Sequence, residues 1–178
     1  LDLRLDPLKG EPASERLKGL TREELTGMLI ENSDEPYAEE IARTVMGEIK
    51  RGREVATTTR LYEMIDRALA FIPEEERKEA VKKSCQRTFQ ALRIDVNSEF
   101  EVLYEFLDKL PGVLKPGGRA AILTFHSGED RIVKKSFKEM YRAGLYSQVA
   151  TDVIRPTAEE RRMNSRAHST KMRWAVKA

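Results

Sequence analysis

The sequence predicts an α/β chain in which a helical block precedes half of an open sheet, and three observations carry that reading. Over residues 21–83 apolar side chains recur at helical spacing, with no strand-like alternation. Over 114–131 a Pro-Gly-Gly turn, an almost unbroken apolar run and a polar helix entrance follow one another. Near the end, Lys171–Lys177 alternates as a final strand does. The composition changes near Ser84, which marks the boundary between the two parts.

Each element has its own signal. Thr21-Arg-Glu-Glu24 is a capping box, behind which Leu25, Met28 and Leu29 share one helical face. Pro36 opens a second helix, with Ile41, Val45 and Ile49 along one side and Gly52 at its stop. Thr57 or Thr58 caps a third, whose inner face is Leu61, Met64, Ile65, Ala68 and Leu69 and which ends near Pro73. Residues 74–83 form a highly charged helical stretch. Beyond it Phe89, Leu92, Val96, Phe100, Leu103, Leu107 and Leu110 step by three and four, which predicts one long helix over about 84–110. Pro111-Gly112 and Pro116-Gly117-Gly118 bracket the way into a strand over 119–125, read as central and buried on both faces. A helix over 129–142 follows with Ile132, Val133, Phe137 and Tyr141 inward, and 144–169 reads as loop before the last strand. Trp174, Phe89, Phe100, Phe106 and Phe137 read as core.

With 178 residues, 40% of them hydrophobic, the chain has enough apolar material for a buried core. Its 32 basic and 30 acidic residues nearly cancel, so attraction to a polyanion has to come from local clustering. A lone cysteine, Cys85, rules out an internal disulfide, and two histidines are too few for a zinc cluster to be expected; a reducing compartment fits. No run has the length of a membrane span and the first residues lack a secretory-signal layout, so no membrane partner is expected. The chain opens without Met, as a cut or processed start does.

The exit of the 119–125 strand is where open α/β sheets place their chemistry. His126 stands there ahead of a Ser-Gly-Glu-Asp helix entrance, so it either faces a crevice beside free helix amides or is a structural histidine. Ser127 and Asp130 suit helix caps better than catalysis. The Phe-His-Ser-Gly run is not the glycine-flanked elbow of a serine hydrolase. Upstream, Arg87, Gln90, Arg93, Asp95 and Asn97 lie among the core positions of the long helix. Arg87, Gln90, Arg93 or Asn97, spaced by three and four, share a face that presents guanidinium and amide groups to a base or phosphate, or simply to solvent. Asn97, a poor residue for a helix interior, points to a specific hydrogen-bonding duty. Residues 155–173 hold Arg155, Arg161, Arg162, Arg166, Lys171 and Arg173 against Glu159 and Glu160. Phosphate contacts from them would be salt-sensitive and indifferent to base sequence; a bare charged surface is the alternative.

Five ordered blocks resemble the RsmH/MraW family of S-adenosylmethionine-dependent methyltransferases of small-subunit ribosomal RNA. They are Leu1-Asp-Leu-Arg-Leu-Asp-Pro7, Arg87-Thr-Phe-Gln-Ala-Leu-Arg-Ile-Asp-Val-Asn97, Pro116-Gly-Gly-Arg119, Phe125-His-Ser-Gly-Glu-Asp-Arg-Ile-Val-Lys134 and Asn164-Ser-Arg-Ala-His-Ser-Thr-Lys-Met-Arg173. The resemblance covers nearly the whole chain. It implies the C-terminal part of a Rossmann-like methyltransferase sheet plus an inserted all-helical domain: 1–12 a remnant of the methyltransferase domain, 13–83 the helical insertion, 84–178 the C-terminal half. It implies methylation of the exocyclic amine of a cytosine near the ribosomal decoding site. The partner would be small-subunit ribosomal RNA or the small ribosomal subunit, and the methyl donor S-adenosylmethionine, whose main binding motifs would lie upstream of Leu1. His126 is then expected to border a flipped cytosine as proton acceptor or base-edge contact, with Ser127 and Asn97 orienting it. Arg4, Arg87, Arg93, Arg131 and Arg166 would grip the RNA backbone, and Gln90 and Asn164 complete the substrate-binding set. The sequence departs from the family with Gly128 in place of Leu, Ser165 in place of Pro and His168 in place of Arg. The implied setting is a bacterial cytoplasm, or else a chloroplast stroma or mitochondrial matrix, and the oligomeric state stays open, a homodimer included. The alternative is a non-catalytic RNA- or ribosome-binding module derived from the same family.

Overall fold

Eight α-helices and three antiparallel strands make up the chain in a computed structural model that describes residues 1–178. They fall into two units, Leu1–Glu99 and Phe100–Ala178. No helix is long and apolar enough to cross a membrane. The class is α/β, as expected, and matches a partial Rossmann-like methyltransferase fold.

The first unit is all helical: α1 (Ala13–Lys18), α2 (Arg22–Ser33), α3 (Ala38–Lys50), α4 (Thr58–Ala68) and α5 (Glu74–Val96). The expected capping box is present, with Thr21 Oγ1 accepting the Glu24 N–H at 3.1 Å and Glu24 Oε2 accepting the Thr21 N–H at 2.7 Å. Gly52 ends α3 in the left-handed region at φ +72°, where a side chain would be strained. Thr57 caps α4. Leu25, Leu29, Ile41, Leu61, Ile65 and Leu92 form the centre of the core and are fully buried, each such side chain stabilising the fold by about 1.5–3 kcal/mol. Cys85 lies among them, and burial pushes its thiol pKa up to about 11, so it is a structural residue.

The long helix predicted over 84–110 is in fact two. α5 starts at Glu74, so the charged stretch belongs to it, and it stops at Asn97. The Asn97 side-chain amide donates to the Arg93 carbonyl at 2.8 Å and to the Leu3 carbonyl at 2.9 Å, while its Oδ1 accepts the Leu5 N–H at 2.8 Å. These bonds compete with the main-chain ladder. Ser98 then turns left-handed at φ +48°, and α6 (Glu99–Val113) begins. Periodicity cannot reveal the break, because Val96, Phe100 and Leu103 keep helical spacing across it. Nor does Pro111 end α6: it sits in the last turn, where its missing N–H removes only one ladder bond.

The second unit continues with β1 (Arg119–Thr124), α7 (Ser127–Arg142), β2 (Tyr146–Val149), α8 (Ala158–Met163), a short 3-10 helix (Ser165–Ser169) and β3 (Lys171–Lys177). Residues 144–169 therefore hold three short elements where the sequence reads as loop. The strand order is β1-β3-β2, all antiparallel, with register from Arg119↔Val176 to Thr124↔Lys171. The strand expected at the centre of the sheet is thus an edge strand, and the last strand is the middle one. Nor is β1 buried on both faces. Ala120 and Ile122 pack with Leu107, Val133 and Phe137, whereas Leu123 is 56% exposed and Phe125, just beyond, 55%. An unbroken apolar run shows that a strand is half or fully buried, but not which strand is central. Trp174, paired with Ala121 on the open face, is only half-buried, and Phe106 and Tyr141 are exposed where core positions were expected. The Pro-Gly-Gly turn behaves as read. Gly117 takes φ +75° and donates to the Lys177 carbonyl at 3.0 Å, and a Cβ on Gly118 would lie 2.7 Å from the Lys115 carbonyl oxygen.

Candidate active site

Where β1 leaves the sheet, His126 is the N-cap of α7, with extended backbone at φ −140° and ψ 167°. Its Nδ1 accepts the Glu129 N–H at 3.4 Å, a place usually held by a Ser or Asp oxygen. The cap is therefore His126, and Ser127 is the first residue of the helix, exposed to solvent. Glu129 answers from the third helical position: its Oε2 accepts the Phe125 N–H at 2.9 Å and its Oε1 lies 3.5 Å from His126 Nε2. An acceptor Nδ1 places the proton of the neutral ring on Nε2, toward that carboxylate. The ring is thereby fixed in orientation with Nδ1 taken up by the cap, and it can accept a further proton only when the bond from the Glu129 N–H is released.

On its other side the imidazole meets the Phe100 ring, with centroids 5.9 Å apart and planes inclined at 39°. Gly128 makes room for this contact. A Cβ there would come within 2.7 Å of Phe100 Cζ and 3.2 Å of the His126 ring. A larger side chain at this position would not fit beside Phe100 as it lies here.

Asp130 does not cap the helix. It is bound through Oδ1 to Arg173 Nε at 2.7 Å and through Oδ2 to Lys171 Nζ at 3.4 Å, Asp130 and Arg173 both being buried. Burial works to raise the Asp130 carboxyl, but the Arg173 hydrogen bond and charge outweigh it and hold the pKa below the usual 3.8. The pair ties the first turn of α7 to β3, and it takes Lys171 and Arg173 out of the basic cluster of the tail. Arg155, Arg161, Arg162 and Arg166 remain exposed.

Because β1 and β3 are antiparallel, the segment feeding β3 lies at the same end of the sheet as His126. Asn164 opens the 3-10 helix there, its Oδ1 accepting the Arg166 N–H at 3.1 Å. The second unit thus brings His126, Ser127, Asn164 and Arg166 to one end of the sheet, with Arg131 exposed one turn along α7.

Of the expected residues of the helical unit, Arg4, Gln90, Arg93 and Asn97 have structural partners. Arg4 binds both Asp2 oxygens, at 2.7 and 2.9 Å, and the Gly10 carbonyl at 3.1 Å; the hydrogen bond from Arg4 is the main reason the Asp2 pKa falls to about 2. Gln90 donates to the Asn32 carbonyl at 3.2 Å, Arg93 forks onto Glu99 at 2.8 and 3.0 Å, and Asp95 accepts from Arg16 at 2.8 Å. Arg87 is half-buried beside Tyr37, Glu79 and Lys83. Gln90 and Asn97 of the face spaced by three and four therefore hold α2 and the first residues against α5, and Asp95 holds α1. Sequence reasoning missed Glu129, Phe100 and the role of Gly128. The spacing from His126 to Glu129, that of a capping box, is the signal that finds the first.

The model of the MraW methylase family matches residues 1–178. Over 178 residues the chain is 67% identical to Ribosomal RNA small subunit methyltransferase H 1 of Lachnoclostridium phytofermentans, covering 100% of itself and 49% of that protein. It is 64% identical to Ribosomal RNA small subunit methyltransferase H 1 of Agathobacter rectalis, covering 100% of itself and 51% of that protein. With Ribosomal RNA small subunit methyltransferase H 2 of Acholeplasma laidlawii it shares 50% identity over 177 residues, 99% of the chain and 51% of that protein. The chain spans about half the length of these curated relatives.

Proposed function

The chain belongs to the MraW methylase family, and on that footing we propose that it is part of an enzyme that methylates the exocyclic amine of a cytosine in small-subunit ribosomal RNA. The observation that carries the reading is the family match over every residue, the strand-exit histidine included. The lone pair of a cytosine amine is delocalised into the ring, so the nitrogen is a weak nucleophile and alignment supplies much of the rate. In the step proposed, the amine nitrogen bonds the methyl carbon, the carbon–sulfur electron pair goes to sulfur, and an amine proton leaves. His126 borders the target base, as a contact to the base edge or, once its Nδ1 gives up the Glu129 N–H, as acceptor of that proton, and Glu129 fixes the orientation of its ring. Ser127 lies at the same helix entrance, and Arg131, Asn164 and Arg166 contribute contacts to the RNA.

The proposed donor is S-adenosylmethionine, which supplies an electrophilic methyl group when bound. The glycine turns of this chain do other work, Gly117 and Gly118 at the entry to β1 and Gly128 against Phe100, so these residues do not form a nucleoside cradle and the donor's pocket is not assigned to them. The test is transfer of isotope-labelled methyl groups to small ribosomal subunits lacking the modification, by a full-length protein containing these 178 residues. Label is expected on a cytosine amine, and His126→Ala is expected to slow its appearance about 100-fold. Label absent from small-subunit RNA sinks the reading; an unchanged rate in the variant removes His126 from the chemistry.

A further inference from the structure

Glu48, at the end of α3, is a carboxylate with only 2% of its side chain exposed, and four arginines converge on it. Arg51 Nη1 lies 3.1 Å and Arg67 Nη1 3.3 Å from its Oε1, while Arg60 Nη2 lies 2.9 Å and Arg53 Nη1 3.2 Å from its Oε2. The loop is built around this residue: the Arg51 and Arg53 N–H groups both donate to the Glu48 carbonyl at 3.1 Å, and Gly52 makes the turn between them. Neutralising one buried carboxylate takes one or two guanidiniums. Four bring about 20 N–H donors to an acceptor with about four lone-pair sites. After Glu48 and Glu63, which also pairs with Arg60, a surplus of two positive charges is left. That surplus faces water, since Arg51 is 67% and Arg53 58% exposed.

We propose that this cluster is a phosphate-binding patch that grips the backbone of the RNA substrate. The choice of RNA as occupant rests on the ribosomal RNA reading above; the affinity for phosphate rests on the cluster itself. Guanidiniums held at one end by a buried carboxylate have already lost much of their rotamer freedom, so a phosphate meets planar, bidentate donors at reduced entropic cost. The contact is independent of base sequence and sensitive to salt.

The experiment is fluorescence anisotropy of the full chain with a short labelled single-stranded oligoribonucleotide across a salt series. Arg51→Gln/Arg53→Gln leaves Arg60 and Arg67 to neutralise Glu48. It is expected to weaken binding about tenfold at low salt and to flatten the slope of log affinity against log salt by about 1.4, the value for two single-strand phosphate contacts. Arg51→Lys/Arg53→Lys, which keeps the charge, is expected to recover part of the loss. Lys78→Gln/Lys82→Gln, an equal loss of charge on α5, is expected to leave the slope nearer the wild-type value. The proposal is overturned if the arginine pair changes nothing, if the lysine pair costs as much, or if the wild-type chain binds no RNA at low salt. Each of those outcomes leaves the methyl-transfer assay to decide the ribosomal RNA reading separately.

Discussion

Tyr146 carries a hydroxyl into the core of the sheet unit and finds no hydrogen-bond partner there, while its ring packs edge-on against Phe137 at 5.5 Å. Burial pushes its pKa above the usual 10.0. A polar group left unsatisfied costs more than its removal. Tyr146→Phe keeps the ring contact and is expected to stabilise the chain by about 1 kcal/mol, read as a higher urea midpoint. An unchanged or lower midpoint would mean that the hydroxyl has a use. Asn97 shows how far sequence reaches at this scale. Its poor helix propensity rightly signals a hydrogen-bonding duty, but its partners Leu3 and Leu5 lie 94 and 92 positions away and leave no local trace. The same holds for Glu48, whose burial among arginines no periodicity reveals.

Among the elements, α7 is fastened by charge. Its first turn is fastened to β3 by Asp130 and Arg173, both buried. Asp130→Asn leaves the guanidinium buried without a counter-charge and is expected to cost about 3 kcal/mol in urea unfolding, within the range for breaking one side of a buried pair. A cost under about 1 kcal/mol would show that water reaches the site. The helices were legible because caps and apolar stripes are local: Thr21, Thr57 and Gly52 all do what their types suggest. Sheet order was not legible, because β1 pairs only with a strand some fifty residues later, and pairing between distant segments writes no pattern in either. At the strand exit, the histidine was found by its position. The capping role went to His126 rather than Ser127 because imidazole Nδ1 can accept a main-chain N–H as a carboxylate or hydroxyl does.

For the chain as a whole, a net charge of +2 hides a strong local division of charge. Carboxylates held by arginine occur in both units. Burial alone would raise Glu48, but Arg53, Arg67 and Arg51 bring it below the usual 4.5, as Arg173 brings Asp130 below 3.8. A carboxylate with a depressed folded-state pKa adds stability that is complete above its unfolded value and disappears as pH falls through the folded one. Melting temperature is therefore expected to hold between about pH 7 and pH 5 and to fall below about pH 4, as followed by circular dichroism. Constancy down to pH 3 would show that these pairs add nothing. The open face and free margin of β1, with Leu123 and Phe125 outward, have a practical outcome. Unpaired strand amides bond water when dilute and bond extended peptide when crowded. How well these 178 residues taken by themselves stay dispersed is thus a matter of concentration, and an added strand would join along this margin.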